Sequence, residues 1–254
     1  MRRAASRSGS ESVTLVAMPT IAVNDIDICY ESFGPDDAPP LLLVMGLGAQ
    51  MTLWQPGFVS ELLERGFRVI RFDNRDAGLS TKTDGPPPDV MAMYAAFAAG
   101  HPIEAPYTLS LLAADAVGLL DALDIPAAHI VGASMGGMIV QTIAIEHPDR
   151  VLSLTSIMST TGHTEVGQPD PEAMMALLSP APEGREAAIE ATINTTRLIA
   201  GDLFDLDQAR RLATESYDRC FHPAGTMFQI AAIAASGDRT EGLQQLDVPT
   251  LVIH

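Results

Sequence analysis

The chain has 254 residues, 47% of them apolar, and a formal net charge of −17. Its length suits one large α/β domain or two small ones, and its acidity argues against nucleic acid and anionic membranes as partners. No apolar run approaches the ~18 residues of a membrane span. Two cysteines, Cys29 and Cys220, are too few for a disulfide framework, so the expectation is a chain of the reducing cytoplasm with both thiols as core fillers.

The opening MRRAASRSGSESV is basic and Ser-rich and lacks the continuous apolar region of a signal peptide. Residues 1–18 therefore read as a disordered tail, with Met18 a candidate start. TIAVNDIDICYESFG alternates apolar and polar residues about Asn24–Asp25, a hairpin signal. PPLLLVMGLG begins as an apolar run bounded by Pro39, Pro40 and Gly46, as in a strand buried on both faces. A helix is predicted from about Leu53 to Arg65, with Gly66 in the C-terminal capping role, followed by a strand at FRVIRFD. Residues 82–107 contain Pro86 to Pro88 and little periodicity, and are predicted as loop.

From Leu109 to Leu123, apolar residues recur at Leu112, Ala116, Leu119, Leu120 and Leu123, the one-face pattern of an amphipathic helix. AAHIVGAS reads as a strand, MGGMIVQTIAIEH as a helix ended by Pro148, and VLSLTSIMS as the next strand. The stretch 165–246 then loses the strand–helix rhythm and is Met/Ala-rich and helical, and VPTLVIH closes as a strand. Strands alternating with helices imply right-handed βαβ units in a mostly parallel sheet covered on both faces. The expected division is a core over 19–160, a helical cap over 161–246 and a return to the core over 247–254.

The sequence VGASMGG, residues 131–137, places Ser134 in a G-x-S-x-G pattern. About one chain in ten of this length carries that pattern by chance, but here a strand ends just before it and a helix begins just after. That is the setting of a nucleophile elbow, a turn so tight that Gly132 and Gly136 are needed to avoid collisions. The hydroxyl would project beside a helix N-terminus, where the dipole favours negative charge. An oxyanion hole would then take the backbone N–H of Met135 and that of Leu47, in a loop that Gly46 and Gly48 allow to come close. The plainer alternative makes Ser134 a helix N-cap and the glycines turn residues.

Gly46 and Gly48 also match two positions of a dinucleotide fingerprint, but Met51 stands where the third glycine belongs. No G-K-[ST] occurs, and the six histidines (His101, His129, His147, His163, His222 and His254) are scattered without ligand spacing. No cofactor and no metal is expected.

VGASMGG, MGLGAQMTLW, FDNRDAGLS and the closing VPTLVIH together resemble the α/β-hydrolase superfamily, in its esterase-like branch that includes anthracycline (aclacinomycin-type) methylesterases. The resemblance runs from about residue 20 to the end. It implies an eight-stranded sheet, a helical cap and a Ser–acid–His triad, with Ser134 as nucleophile and Leu47 and Met135 as oxyanion donors. FDNRDAGLS follows a loop that the superfamily more often writes with Gly where Asp76 stands, and Arg75 and Asp76 are expected to be scaffolding.

Chain order in this fold is Ser, then acid, then His. The resemblance puts the acid just after the VPTLVIH strand and the histidine after one further strand, so triad acid and histidine are both expected beyond His254. The last strand and helix of the fold would be missing, and the sheet would end on an unpaired apolar edge. None of His147, His163, His222 and His254 is expected to substitute as base. Met158, Met174, Met175 and Met227 are either a flexible lining for a bulky apolar substrate or ordinary core. The sequence thus points to a lineage of serine hydrolases acting on small carboxylic esters through an acyl-enzyme, the alternative being an inert chain that at most binds a small apolar ligand.

Overall fold

The computed structural model describes residues 18–167 and 170–254; all but the last residue of the expected N-terminal tail lies outside them. The chain opens with the expected hairpin, β1 (Thr20–Val23) and β2 (Ile26–Phe33), turning at Asn24 with φ of +52°. β3 (Pro40–Val44) follows, then a single 3₁₀ turn at Met51–Leu53 and α1 (Pro56–Glu64). Pro56 opens α1 because a first-turn proline forfeits no helical hydrogen bond. Gly66, with φ of +85°, donates to the Leu63 carbonyl and ends it as expected. β4 (Arg68–Phe72) completes the first half of the sheet.

The expected loop over 82–107 contains α2 (Val90–Ala98), which corrects the sequence reading. Its sequence, VMAMYAAFA, is built from good helix formers, and the Asp89 carboxylate caps it by accepting from Ala92 N–H at 2.9 Å. The helix has no polar face to alternate with its apolar one: Met91, Tyr94 and Phe97 are exposed. Periodicity was therefore absent although helix propensity was high.

α3 (Leu109–Ala122), β5 (Ala128–Ala133), α4 (Met135–Glu146) and β6 (Val151–Ile157) follow in the anticipated rhythm. Between β6 and the last strand come α5 (Pro171–Leu178), α6 (Arg185–Ala200), α7 (Leu206–Arg219), α8 (Pro223–Ser236) and α9 (Thr240–Gln244). β7 (Thr250–Ile253) ends the sheet.

The described strands form one sheet in the order β1-β2-β4-β3-β5-β6-β7, parallel from β4 through β7 and antiparallel at the β1–β2 and β2–β4 pairings. The period-2 geometry of β3 divides its leucines. Leu42 and Val44 join a core with α3, α4 and Phe228 of α8, while Leu41 and Leu43 face Trp54 and Val59 on the α1 side. Each fully buried side chain such as Leu42, Ile70 or Ile130 contributes roughly 1.5–3 kcal/mol of transfer free energy. α6 and α7 form a small core of their own around Ile189, Ile193, Ala209 and Ala213. β1 and β7 are the edge strands of the described sheet, and Leu251, Val252 and Ile253 of β7 are exposed. Among the described residues no helix is long and apolar enough to cross a membrane.

Candidate active site

The register of the sheet assembles the site. β3 and β5 pair in parallel with Val44 opposite Gly132, so the loops leaving the two strands emerge side by side. One carries Gly46, Leu47 and Gly48; the other carries Ser134 and opens α4.

Ser134 has φ of +55° and ψ of −118°, a conformation that costs an L-residue on the order of 1–3 kcal/mol. The surroundings enforce it. Ser134 N–H donates to Ile157 O on β6 at 2.9 Å, and Ser134 O accepts from Ser159 Oγ at 2.8 Å. A Cβ on Gly132 would overlap the Gly136 carbonyl, and one on Gly136 would overlap the carbonyl of Val44. Glycine is therefore required at both positions for the turn to close against β3. Ser134 occupies the N-cap position of α4, but its side chain makes no capping hydrogen bond. Among the described residues no imidazole hydrogen-bonds to its hydroxyl. The backbone is strained while the hydroxyl is left uncommitted among the described residues, which the plain N-cap reading does not explain.

The β3 loop lies directly against this turn. A Cβ on Gly46 would stand 3.0 Å from Ala133 O and 3.1 Å from Ser134 Cβ. Met135 is the first residue of α4, where a backbone N–H has no intrahelical acceptor. Gly46, Leu47, Gly132, Ser134, Met135 and Gly136 are thus brought together. Two side chains hold the β3 loop in place. Asn74 Nδ2 donates to Met45 O at 2.9 Å, and Gln229 Oε1 on α8 accepts from Gly48 N–H at 2.8 Å.

A buried polar layer supports the loops. Asp73, wholly buried, accepts from Met51 N–H and Leu79 N–H and from Arg219 Nη2 at 2.7 Å. Gln50 accepts from Arg219 Nη1 and donates to the carbonyls of Ser216 and Cys220, satisfying the C-terminal end of α7. Arg75 is bidentate on Asp115, at 2.8 and 3.0 Å. Burial alone would pull the Arg75 guanidinium down, and the Asp115 carboxylate outweighs it. Asp76 accepts from Tyr107 Oη, Thr83 N–H and Thr83 Oγ1. Asp76 has φ of +69°, a left-handed conformation that a short polar side chain tolerates and that glycine takes at no cost.

Burial pushes the Cys29 thiol up to about 11, and the nearby Asp73 charge adds to the effect, so Cys29 is no nucleophile at neutral pH. None of the histidines hydrogen-bonds to Ser134 among the described residues. His129 Nδ1 meets Ser153 Oγ at 2.7 Å, His147 caps the far end of α4, and His163 accepts from Glu165 N–H. His222 precedes α8 with Nε2 buried and unpartnered among the described residues, and burial holds its pKa below the ordinary value. Met158 and Met175 are exposed.

The residues that sequence reasoning missed are those gripping the site from elsewhere: Asn74, Ser159 and Gln229. Gln229 carried one signal, as the lone polar side chain inside the apolar run MFQIAAIAA.

The family model for the alpha/beta hydrolase fold matches residues 39–254. The chain belongs to this family. It is an esterase-like α/β hydrolase: the rhodomycin D methylesterase of Streptomyces peucetius is 32% identical over 217 residues, a match covering 76% of this chain and 67% of that protein. The 3-oxoadipate enol-lactonase 2 of Acinetobacter baylyi is 26% identical over 234 residues, covering 92% and 77% respectively. Among solved structures, the enol-lactonase from Burkholderia xenovorans LB400 aligns with a TM-score of 0.62 at 26% identity, over 92% of this α/β hydrolase and 80% of that chain.

Proposed function

We propose that this α/β hydrolase cleaves small carboxylic esters, with Ser134 as nucleophile and the N–H groups of Leu47 and Met135 as oxyanion donors. The observation carrying this reading is Ser134 itself, held at φ of +55° with a hydroxyl that caps nothing. Strain of this kind persists only where the surroundings over-determine it, and it gathers at functional positions. The esterase and lactonase relatives support the substrate class, since both names describe attack on an ester carbonyl.

In the proposed reaction Ser134 Oγ bonds to the carbonyl carbon as its proton passes to a general base. The carbonyl electron pair moves onto oxygen, where the two N–H groups stabilise it. Collapse expels the alkoxide, which takes up a proton, and water then hydrolyses the acyl-enzyme. The helices between β6 and β7 act as a cap over this site.

Among the described residues no imidazole hydrogen-bonds to Ser134 Oγ. A nucleophile without a base would retain only the ~10³- to 10⁴-fold over water that oxyanion hole and binding supply. The same observation favours a second reading, a catalytically inert chain that binds a small apolar ligand. Hydrolysis of p-nitrophenyl butyrate with and without added imidazole separates the two. The ester hydrolase reading expects slow turnover, faster with imidazole and lost in Ser134→Ala; rates equal to those of the Ser134→Ala chain at every imidazole concentration would favour the inert reading.

A further inference from the structure

Gln229 is wholly buried on α8, and its amide bridges two loops of the site. Oε1 accepts from Gly48 N–H at 2.8 Å and Nε2 donates to Arg75 O at 2.8 Å. A backbone N–H can only donate and a carbonyl can only accept, so the amide has a single orientation here. One turn earlier on α8, Thr226 packs on the same loop; a Cβ at Gly48 would lie 2.7 Å from Thr226 Oγ1. Gly48 has φ of +63°, and the peptide preceding it carries the Leu47 carbonyl, so fixing Gly48 N–H fixes the plane next to Leu47. Asn74 holds the other end of the loop at Met45 O.

We propose that Gln229 is a positioning residue for ester hydrolysis, aiming the Leu47 N–H by clamping Gly48 and tying that clamp to the Arg75 loop. This rests on the reading of Leu47 as an oxyanion donor. An oxyanion hole acts only on charge developing in the transition state, and a displacement of about 1 Å in such a group can cost ~10²-fold in rate. Gln229 is therefore expected to influence kcat and leave KM nearly unchanged, although it touches no substrate.

The test compares wild type, Gln229→Met and Gln229→Glu in the full chain by hydrogen exchange and by p-nitrophenyl butyrate kinetics. Met keeps the volume and loses both hydrogen bonds; Glu, in its protonated form, retains an acceptor for Gly48 N–H and a donor for Arg75 O, and is the variant to rely on should Met not fold. The proposal expects faster exchange confined to the peptide spanning 46–49 in Gln229→Met, a ~10- to 100-fold fall in kcat at constant KM, and partial recovery of both in Gln229→Glu. Unchanged exchange at 46–49 in a folded variant would overturn it, as would exchange raised throughout the core or equal falls in kcat for Met and Glu. If wild type shows no Ser134-dependent turnover while exchange at 46–49 still rises locally, the clamp stands and the hydrolase reading fails.

Discussion

Arg219 Nη2 at the end of α7 lies 2.7 Å from Oδ2 of Asp73, a carboxylate wholly buried at the end of β4. The contact joins the helical segment to the sheet across 146 positions of sequence, and Asp73 also anchors the loop beginning at Met51. Removing the cation leaves Asp73 with only its backbone donors. Arg219→Met is expected to destabilise the chain by about 3 kcal/mol, the cost of stranding a buried charge. Urea unfolding would show it as a lower midpoint at constant slope. Asp73→Asn in the Arg219→Met background should recover part of the loss, because the stranded charge is then gone.

The elbow glycines make a sharper prediction. In Gly136→Ala the new methyl meets the backbone carbonyls of Val44 and Met45, which cannot rotate aside as a side chain can. The expected cost is about 3 kcal/mol, together with displacement of Ser134. Gly57→Ala serves as control, since a Cβ there meets nothing within 4 Å, and should leave the melting temperature within about 2 °C of wild type.

Much of this architecture was legible because strand and helix signals are local. β3 announced itself as an apolar run bounded by prolines and Gly46, and the G-x-S-x-G spacing marked the turn between β5 and α4. α2 was not legible, because Met91, Tyr94 and Phe97 leave it apolar all round. Gln229 was legible only as a polar oddity in α8: its meaning depends on Gly48, 181 positions away, and nothing local encodes that pairing. Ser159 and Asn74 were hidden for the same reason.

His222 makes stability pH-dependent in a defined direction. Burial lowers its pKa from 6.5, Lys82 adds to the effect and Asp76 opposes it. A folded-state pKa below the unfolded value means the unfolded chain binds the proton first, so this contribution is intact above pH ~6.5 and is lost as pH falls through the folded value. Urea midpoints between pH 7.5 and 5 should therefore decline more steeply for wild type than for His222→Phe. Parallel declines would show that the imidazole titrates alike in both states.

The central claim, that Ser134 is a nucleophile, is tested most directly by incubating the folded chain with a fluorophosphonate probe and mapping the modified peptide by mass spectrometry. The account predicts slow modification confined to Ser134, accelerated by added imidazole and lost in Ser134→Ala. A folded chain that stays unmodified over hours at high probe concentration, or one modified equally well in Ser134→Ala, would contradict it.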